Sequence, residues 1–376
     1  MSSQPPSNPN PTAPLLDRVE THLRAVGFEN FGFTELRRPL SLELYETWLA
    51  EGRHGEMQYL VRHLPDKRDP ERVLPQARSA IVITQNYVPH PEPKNDWPLS
   101  AGSRVAAYAR GRDYHGFFSQ RLAQLQSRLE AEFPGESFRY FTDSGPVLER
   151  DLAARAGLGW VGKNTCLIDR KRGSMFFIGE LYTTLRLPSA RIVGESDSSS
   201  KTLEMHDFCG TCTRCIDACP TQAIIEPKKL DARLCISYLT IESRKIPPTH
   251  LREKMGDWLF GCDICQTVCP WNIKFHGKET LSKGTPDQFE STEKNKSYLR
   301  EMLVADLRYL LTSSHRQLER DFSGTPLSRA GGFGLKRNAL VVAANRRLTE
   351  LKPEISALIA HDKLGELATW AIQQLA

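Results

Sequence analysis

Apolar residues recur at helical spacing over 15–26 (LLDRVETHLRAV) and predict an amphipathic helix, and 41–51 reads as a second, opened by Ser41 as its cap with Glu43 in the first turn. The β-branched run 79–88 (SAIVITQNYV) predicts a buried strand, the proline-rich 89–98 a loop, and regular structure resumes over 104–109. Helical periodicity over 117–133 stops at Pro134-Gly135. Residues 137–142 then read as a strand that delivers Asp143 into a Ser144-Gly145-Pro146 turn. A short helix follows over 147–156, and two apolar runs, 165–168 and 175–185, flank the basic loop 169–173 as a hairpin.

The pattern changes character beyond this point. Residues 194–201 (GESDSSSK) are polar and linker-like, a cysteine-rich block follows, 274–296 is again polar and poorly periodic, and from 297 onward the spacing is helical, most clearly over 337–348 and 364–375. The chain therefore reads as an α+β protein with a tail at 1–14, an α/β domain at 15–193, a cysteine domain at 202–275 and a helical region at 297–376. Its 376 residues exceed what one core usually holds, roughly 250–300 residues. No apolar run approaches the roughly 20 residues of a membrane helix. Residues 1–14, rich in Ser, Pro and Asn, carry no cationic start, twin arginine or apolar stretch, so they read as a disordered tail rather than a targeting signal, and a cytoplasmic location is expected. A net charge of +5 permits a nucleic-acid partner without pointing to one.

The chemistry lies in the cysteines. Of nine, eight fall between Cys209 and Cys269, at short spacings that speak for metal in a reducing compartment rather than for disulfides. Cys209, Cys212, Cys215 and Cys219-Pro220 follow C-x2-C-x2-C-x3-C-P, the ferredoxin run whose last cysteine ligates the neighbouring [4Fe–4S] cluster. Cys262, Cys265 and Cys269-Pro270 repeat its last three positions, with Leu259 where the first cysteine would stand. Exchange of the last cysteines, with Cys235 filling the gap, gives one cluster on Cys209, Cys212, Cys215 and Cys269 and another on Cys219, Cys235, Cys262 and Cys265. Zinc is the competing reading, since paired C-x2-C units also build ribbons, but x2-x2-x3 spacing before proline is unusual for it. Cys166, in the run TCLI, reads as a buried small hydrophobe.

Two further motifs bear on cofactor binding. Gly157 to Gly162 fits G-x-G-x-x-G, but with a helix predicted before it and a strand after it, the reverse of the dinucleotide-binding context. No D-x-H-x-x-G occurs, and Asp113-Tyr114-His115-Gly116 has the wrong spacing to supply a cobalt-ligating histidine, so His115 reads as a surface residue.

The cysteine block together with RDYH (112–115), DSGPVLER (143–150), AGLGWVGKN (156–164), CGTCTRCIDACPTQAI (209–224), CISYLT (235–240), GCDICQTVCPWN (261–272) and LKRNAL (335–340) resembles the epoxyqueuosine reductase family. The resemblance implies a cobalamin-dependent enzyme that removes the epoxide oxygen of epoxyqueuosine at the wobble base of tRNA, with single electrons delivered through two [4Fe–4S] clusters from an unidentified flavodoxin- or ferredoxin-type donor. Asp143 matches the family's proton donor; an ordinary Asp, with a pKa of about 3.9, would need burial or hydrogen bonding to stay protonated near neutrality. The same resemblance implies corrinoid contacts at Arg68, Ala106, Asp143, Asn164, Ser174, Ser237, Cys262 and Asp263, and a short HEAT-like C-terminal region. Anticodon bases are gripped through their phosphates as well as their edges, and the basic candidates are Arg244, Lys245, Arg329, Lys336, Arg337, Arg346 and Arg347. A reductive dehalogenase, which also joins two clusters to cobalamin, and a non-catalytic electron carrier are the alternatives.

Overall fold

The computed structural model describes residues 14–87, 98–100, 102–143, 145–188, 207–282 and 293–376. The tail at 1–13, most of the proline-rich loop, Ser144, the 194–201 linker and part of the 274–296 stretch lie outside them. The chain divides into two compact units.

The first unit comprises residues up to Glu51, Tyr59–Asn86 and Tyr114–Thr211. Its centre is a four-stranded sheet in the order Phe31–Glu35, Ser79–Asn86, Phe176–Thr183, Phe138–Thr142, with every neighbouring pair antiparallel. Period-two alternation sends Ile81, Ile83 and Leu181 to one face, where Val19 and Leu23 of the helix Leu15–Ala25 and Phe118, Leu122 and Leu125 of the helix Tyr114–Glu132 cover them. Ala80, Val82 and Tyr182 point to the other face, against Leu152, Ala153 and Ala154 of the helix Glu149–Arg155. Both faces are covered, which is why the strand 79–86 reads as a continuous apolar run.

Two local expectations change. The run 165–168 does not form a hairpin with the strand that follows: its strand Leu167–Ile168 pairs with Trp160–Val161, while 169–173 closes on itself through an Asp169 to Gly173 bridge. Gly159, at a φ of +146°, makes that pairing possible, since a Cβ there would lie 2.3 Å from the Ile168 carbonyl oxygen. Ser41 stands at the cap position of Leu42–Ala50 but its hydroxyl caps nothing; its N–H instead donates to Asp151 Oδ2 at 2.7 Å. The helix Glu149–Arg155 precedes Gly157 and the strand Trp160–Val161 follows, as expected for the glycine motif.

The second unit takes Cys212–Ala376 together with Gly52–Gln58 and Tyr87–Asp113, two stretches that sequence places inside the α/β domain. Sequence separates cysteine domain from helical region; here residues 212–275 share a unit with the helical region, while 207–211 fall in the first unit. The strand Trp258–Phe260 pairs in parallel with Arg104–Val105, and the helix Gly331–Asn345 packs against it with the almost wholly buried run Leu335 to Ala344. No helix among the described residues is long and apolar enough to cross a membrane.

Candidate functional site

In the first unit, the strand Phe138–Thr142 ends at Asp143, whose φ of 52° puts it in the left-handed region that Asp tolerates better than most residues. The Tyr114 hydroxyl donates to Asp143 Oδ2 at 2.5 Å and His115 Nε2 lies 3.2 Å from the same oxygen. The Tyr114 ring is stacked between His115 (4.1 Å) and Phe177 (3.9 Å), so the hydroxyl is aimed by packing on both of its faces. His115, which sequence left as a surface residue, is thus part of the setting of Asp143. The Asp143 side chain remains 57% exposed: it meets solvent with hydrogen bonds rather than by burial.

Three further implied corrinoid contacts share this unit with Asp143. Asn164 and Ser174 are buried polar residues, and Asn164 Oδ1 accepts from the Cys166 N–H at 3.2 Å. Arg68 ends the helix Leu64–Arg68, half exposed, with Nε on Glu46 Oε1 at 2.6 Å. Cys166 is partly accessible rather than buried, because it lies in the turn that Asn164 organises.

In the second unit Ala106, Cys262 and Asp263 come together. The Ala106 N–H donates to the Phe260 carbonyl at 2.8 Å, the Ala107 N–H donates to Asp263 Oδ2 at 2.5 Å, and Gly261 (φ +68°) leaves no room for a Cβ, which would meet the Ala106 Cβ at 2.5 Å. Burial raises the carboxyl pKa of Asp263, against the lowering effect of the Ala107 N–H and of Arg110. Ser237 lies in the helix Ile236–Ile241, half buried, its carbonyl accepting from Thr240 Oγ1.

Among the described residues no cysteine is joined in a disulfide. Cys235 and Cys269 each sit at the cap position of a helix, Ile236–Ile241 and Pro270–His276, and Pro270 takes the first helical place, where its missing N–H costs nothing. Burial, and after it the proximity of Cys235, Asp263 and Cys219, pushes the Cys262 thiol pKa up. The charges of two other thiols assigned to the second cluster, Cys235 and Cys219, are thus felt at Cys262. Cys219 Sγ accepts from the Ala223 N–H at 3.3 Å, and in the first unit Trp160 Nε1 donates to Cys209 Sγ at 3.5 Å, bonds of the kind that stabilise a reduced cluster. Leu259, standing where a ligand is missing, is fully buried in the strand Trp258–Phe260. Among the described residues no three His, Cys, Asp or Glu side chains converge as ligands of a single metal ion; the division of the cysteines between two clusters rests on their spacing.

The basic candidates separate in the second unit. Arg244 reaches the carbonyls of Ala330 (2.7 Å) and Arg329 (2.9 Å), Arg329 pairs with Glu242 (3.0 Å), and Lys245, 81% exposed, lies 3.3 Å from Glu56, so these three cations form one exposed group. Arg346 faces Asp257 at 3.6 Å and Arg347 is exposed beside it. Lys336 is partly buried, its Nζ on the Leu311 carbonyl at 3.0 Å, and burial lowers its pKa. Arg337 is a correction: its exposure is 0%, and its guanidinium is spent on the carbonyls of Leu239, Ser243 and Lys245 and on Asn338 Oδ1. Sequence reasoning also passed over Tyr114, Lys67, Glu149 and Glu180; the last had a visible signal, a lone charge inside the apolar run 175–185.

Residues 208–272 match the family model described as a 4Fe-4S double cluster binding domain, and residues 67–144 match that of epoxyqueuosine reductase QueG, DUF1730. An epoxyqueuosine reductase of Xanthomonas campestris pv. campestris is 39% identical over 341 residues, 90% of this chain and 89% of the relative. That of Pseudomonas aeruginosa is 36% identical over 375 residues, 98% and 96% of the two chains. Among solved structures, an epoxyqueuosine reductase crystallised with a tRNA-Tyr epoxyqueuosine-modified tRNA stem loop superposes with a TM-score of 0.75 at 27% identity, over 96% of this chain and 90% of that one. The enzyme from Bacillus subtilis, in a form whose aspartate-bearing catalytic loop is swung out of the active site, gives 0.74 at 26% identity with the same coverage. The chain belongs to the epoxyqueuosine reductase family.

Proposed function

We propose that this chain reduces epoxyqueuosine to queuosine in tRNA, with Asp143 as the group that protonates the departing epoxide oxygen. The carrying observation is the placement of Asp143: on a strand end, at positive φ, fixed by Tyr114 and His115 and open to solvent. Conversion of an epoxide to an alkene takes two electrons and two protons and releases water. A donor that touches both substrate and solvent suits that demand.

Cys209, Cys212, Cys215 and Cys269 would hold one [4Fe–4S] cluster of the double-cluster domain and Cys219, Cys235, Cys262 and Cys265 the other, and such clusters would supply electrons one at a time. The residues that would hold cobalamin fit its chemistry: Asn164, Ser174 and Ser237 offer neutral hydrogen-bonding groups to its amide side chains, Arg68 and Asp263 offer charged ones, and the backbone at Ala106 and Gly261 carries no bulk. Cobalamin, when bound, supplies a cobalt centre able to take single electrons and act on the strained ring. The cations Arg244, Lys245 and Arg329, followed by Arg346 and Arg347, grip tRNA phosphates. The QueG match at 67–144 covers a region that a bare electron carrier would lack, and the curated relatives, similar over most of the chain, favour this reading over a dehalogenase.

The test is an anaerobic assay of the reconstituted protein with cobalamin, reductant and epoxyqueuosine tRNA, reading the nucleoside by mass. Wild type should yield queuosine, and Asp143→Asn should lose roughly a hundredfold or more in turnover while keeping its iron and tRNA affinity. An unaltered nucleoside with wild type overturns the function; undiminished turnover by Asp143→Asn removes Asp143 from it.

A further inference from the structure

Behind Asp143 the first unit buries a group of titratable side chains that the reaction as described leaves unused. Glu180 lies mid-strand, opposite Phe141 on one side and Val82 on the other; its exposure is 0%, and neither carboxyl oxygen has a hydrogen-bond partner among the described residues. Its neighbour Gly179 pairs with Thr142, the residue before Asp143. Glu149 opens the helix Glu149–Arg155 with Oε1 sealed from water and likewise without a partner among the described residues. Lys67 is buried, and its Nζ donates to the Val147 carbonyl at 2.6 Å rather than to a carboxylate. Were these groups simply a buried ion pair, the ammonium would be expected on carboxylate oxygens, because an unpaired buried charge is expensive.

The charged groups around each site account for its protonation. Glu149 feels burial first, then Asp143, against which Arg150, Lys67 and His115 act, and its pKa is pushed up to about 8. Glu180, raised well above the usual carboxyl range, feels burial first, then Glu149, the opposing Lys67, and Asp143. Burial lowers the Lys67 ammonium pKa, while Glu149 and Glu180 counter it and Arg150 adds to it. Near neutrality this corner therefore holds carboxylic acids and not two carboxylates.

Deoxygenation consumes two protons, and Asp143 carries one. We propose that Glu149 is the proton store that reloads Asp143 between the two protonations, with Lys67 and Glu180 as positioning residues that set its charge. This rests on the reaction assigned above. In the first step Asp143 gives its proton to the oxygen freed from one carbon of the ring. Asp143 then takes the proton of Glu149 through water and passes it on as the second C–O bond breaks, so that the oxygen leaves as water; both electrons come from the clusters. The Glu149 carboxylate is left beside the Lys67 ammonium, and solvent returns the proton by way of exposed Asp143 and His115.

Two measurements test this. In the holoenzyme, Glu149→Gln should lower kcat about tenfold or more, leave the KM for tRNA within about twofold, and remove the alkaline limb of the kcat profile near pH 8. In the protein without cobalamin, the infrared carbonyl stretch of a protonated carboxyl should be present at neutral pH, fade as pH rises through about 8, and lose that component in Glu149→Gln. Lys67→Met, which removes a cation beside Glu149, should move both transitions to higher pH, and it serves if the first variant does not fold. A wild-type kcat and unchanged alkaline limb in Glu149→Gln overturn the proposal, as do transitions that stay put in Lys67→Met or a neutral-pH spectrum without the protonated band. Failure of wild type to convert the nucleoside would instead sink the assigned reaction, and the infrared titration would still judge the store.

Discussion

Arg337 and Arg244 show how far one residue type can be read from sequence. Both stand in basic stretches, yet Arg244 keeps to the surface, its guanidinium covering the carbonyls of Arg329 and Ala330, while Arg337 fills the space under the helix Ile236–Ile241 and satisfies three backbone carbonyls there. Asn338 beside it donates to the carbonyls of Thr240 and Leu259. The LKRNAL motif is therefore a polar clamp on the end of that helix and on the strand Trp258–Phe260. Arg337→Ala leaves buried carbonyls unpaired and should cost about 3 kcal/mol or more of stability, visible as a lower denaturation midpoint. Arg244→Ala should cost far less. The motif carries no sign of this, because the partners lie near residue 240, where no local pattern points to them. Asp143 was legible for the opposite reason: a polar residue between an aromatic-rich strand and a Gly-Pro turn needs no distant partner to stand out.

At the scale of elements, long helices and the central strands were legible because one apolar face dictates each, as in Leu15–Ala25, Tyr114–Glu132 and Ser79–Asn86. The short strand Leu167–Ile168 was not. Two residues cannot choose between flanking partners, and the choice falls to the backbone freedom of Gly159. The cysteine runs were legible through spacing alone, but spacing says nothing of the shell around the sulfurs. There Trp160 matters: its ring packs edge-on against Phe208 at 5.0 Å, with Arg170 over the other aromatic at 4.6 Å, and its indole N–H points at Cys209. An N–H bond to a cluster sulfur favours the reduced, more negative state. Trp160→Phe keeps the packing and removes the donor, so the potential of the cluster proposed on Cys209 should fall by tens of millivolts, on the order of one hydrogen bond's worth, in an EPR-monitored redox titration. The Cys219 cluster should not move.

Over the whole molecule, 50 Lys and Arg against 45 Asp and Glu leave too small a surplus to define an RNA-binding face. What the second unit adds is distribution. Arg244, Lys245 and Arg329 are drawn from two separated stretches of sequence into one exposed group, and each is held against a neighbouring carbonyl or carboxylate, which limits the freedom lost when a phosphate docks. The same contacts have an opposite side: Glu56 and Glu242 compete with phosphate for Lys245 and Arg329, so each cation delivers less than a free one would. These two effects separate experimentally. Counterion release gives a slope of log affinity against log salt of about −0.7 for each single-strand phosphate contact, so replacing all three cations by Ala should flatten the slope by up to about 2 and weaken tRNA binding most at low salt. Replacing Glu56 and Glu242 by Gln should strengthen binding without steepening the slope by as much, because it frees cations already in place rather than adding new ones. Equal slopes for wild type and the triple variant, measured by filter binding across a salt series, would put the tRNA contact elsewhere and leave these arginines and this lysine as a solvated surface.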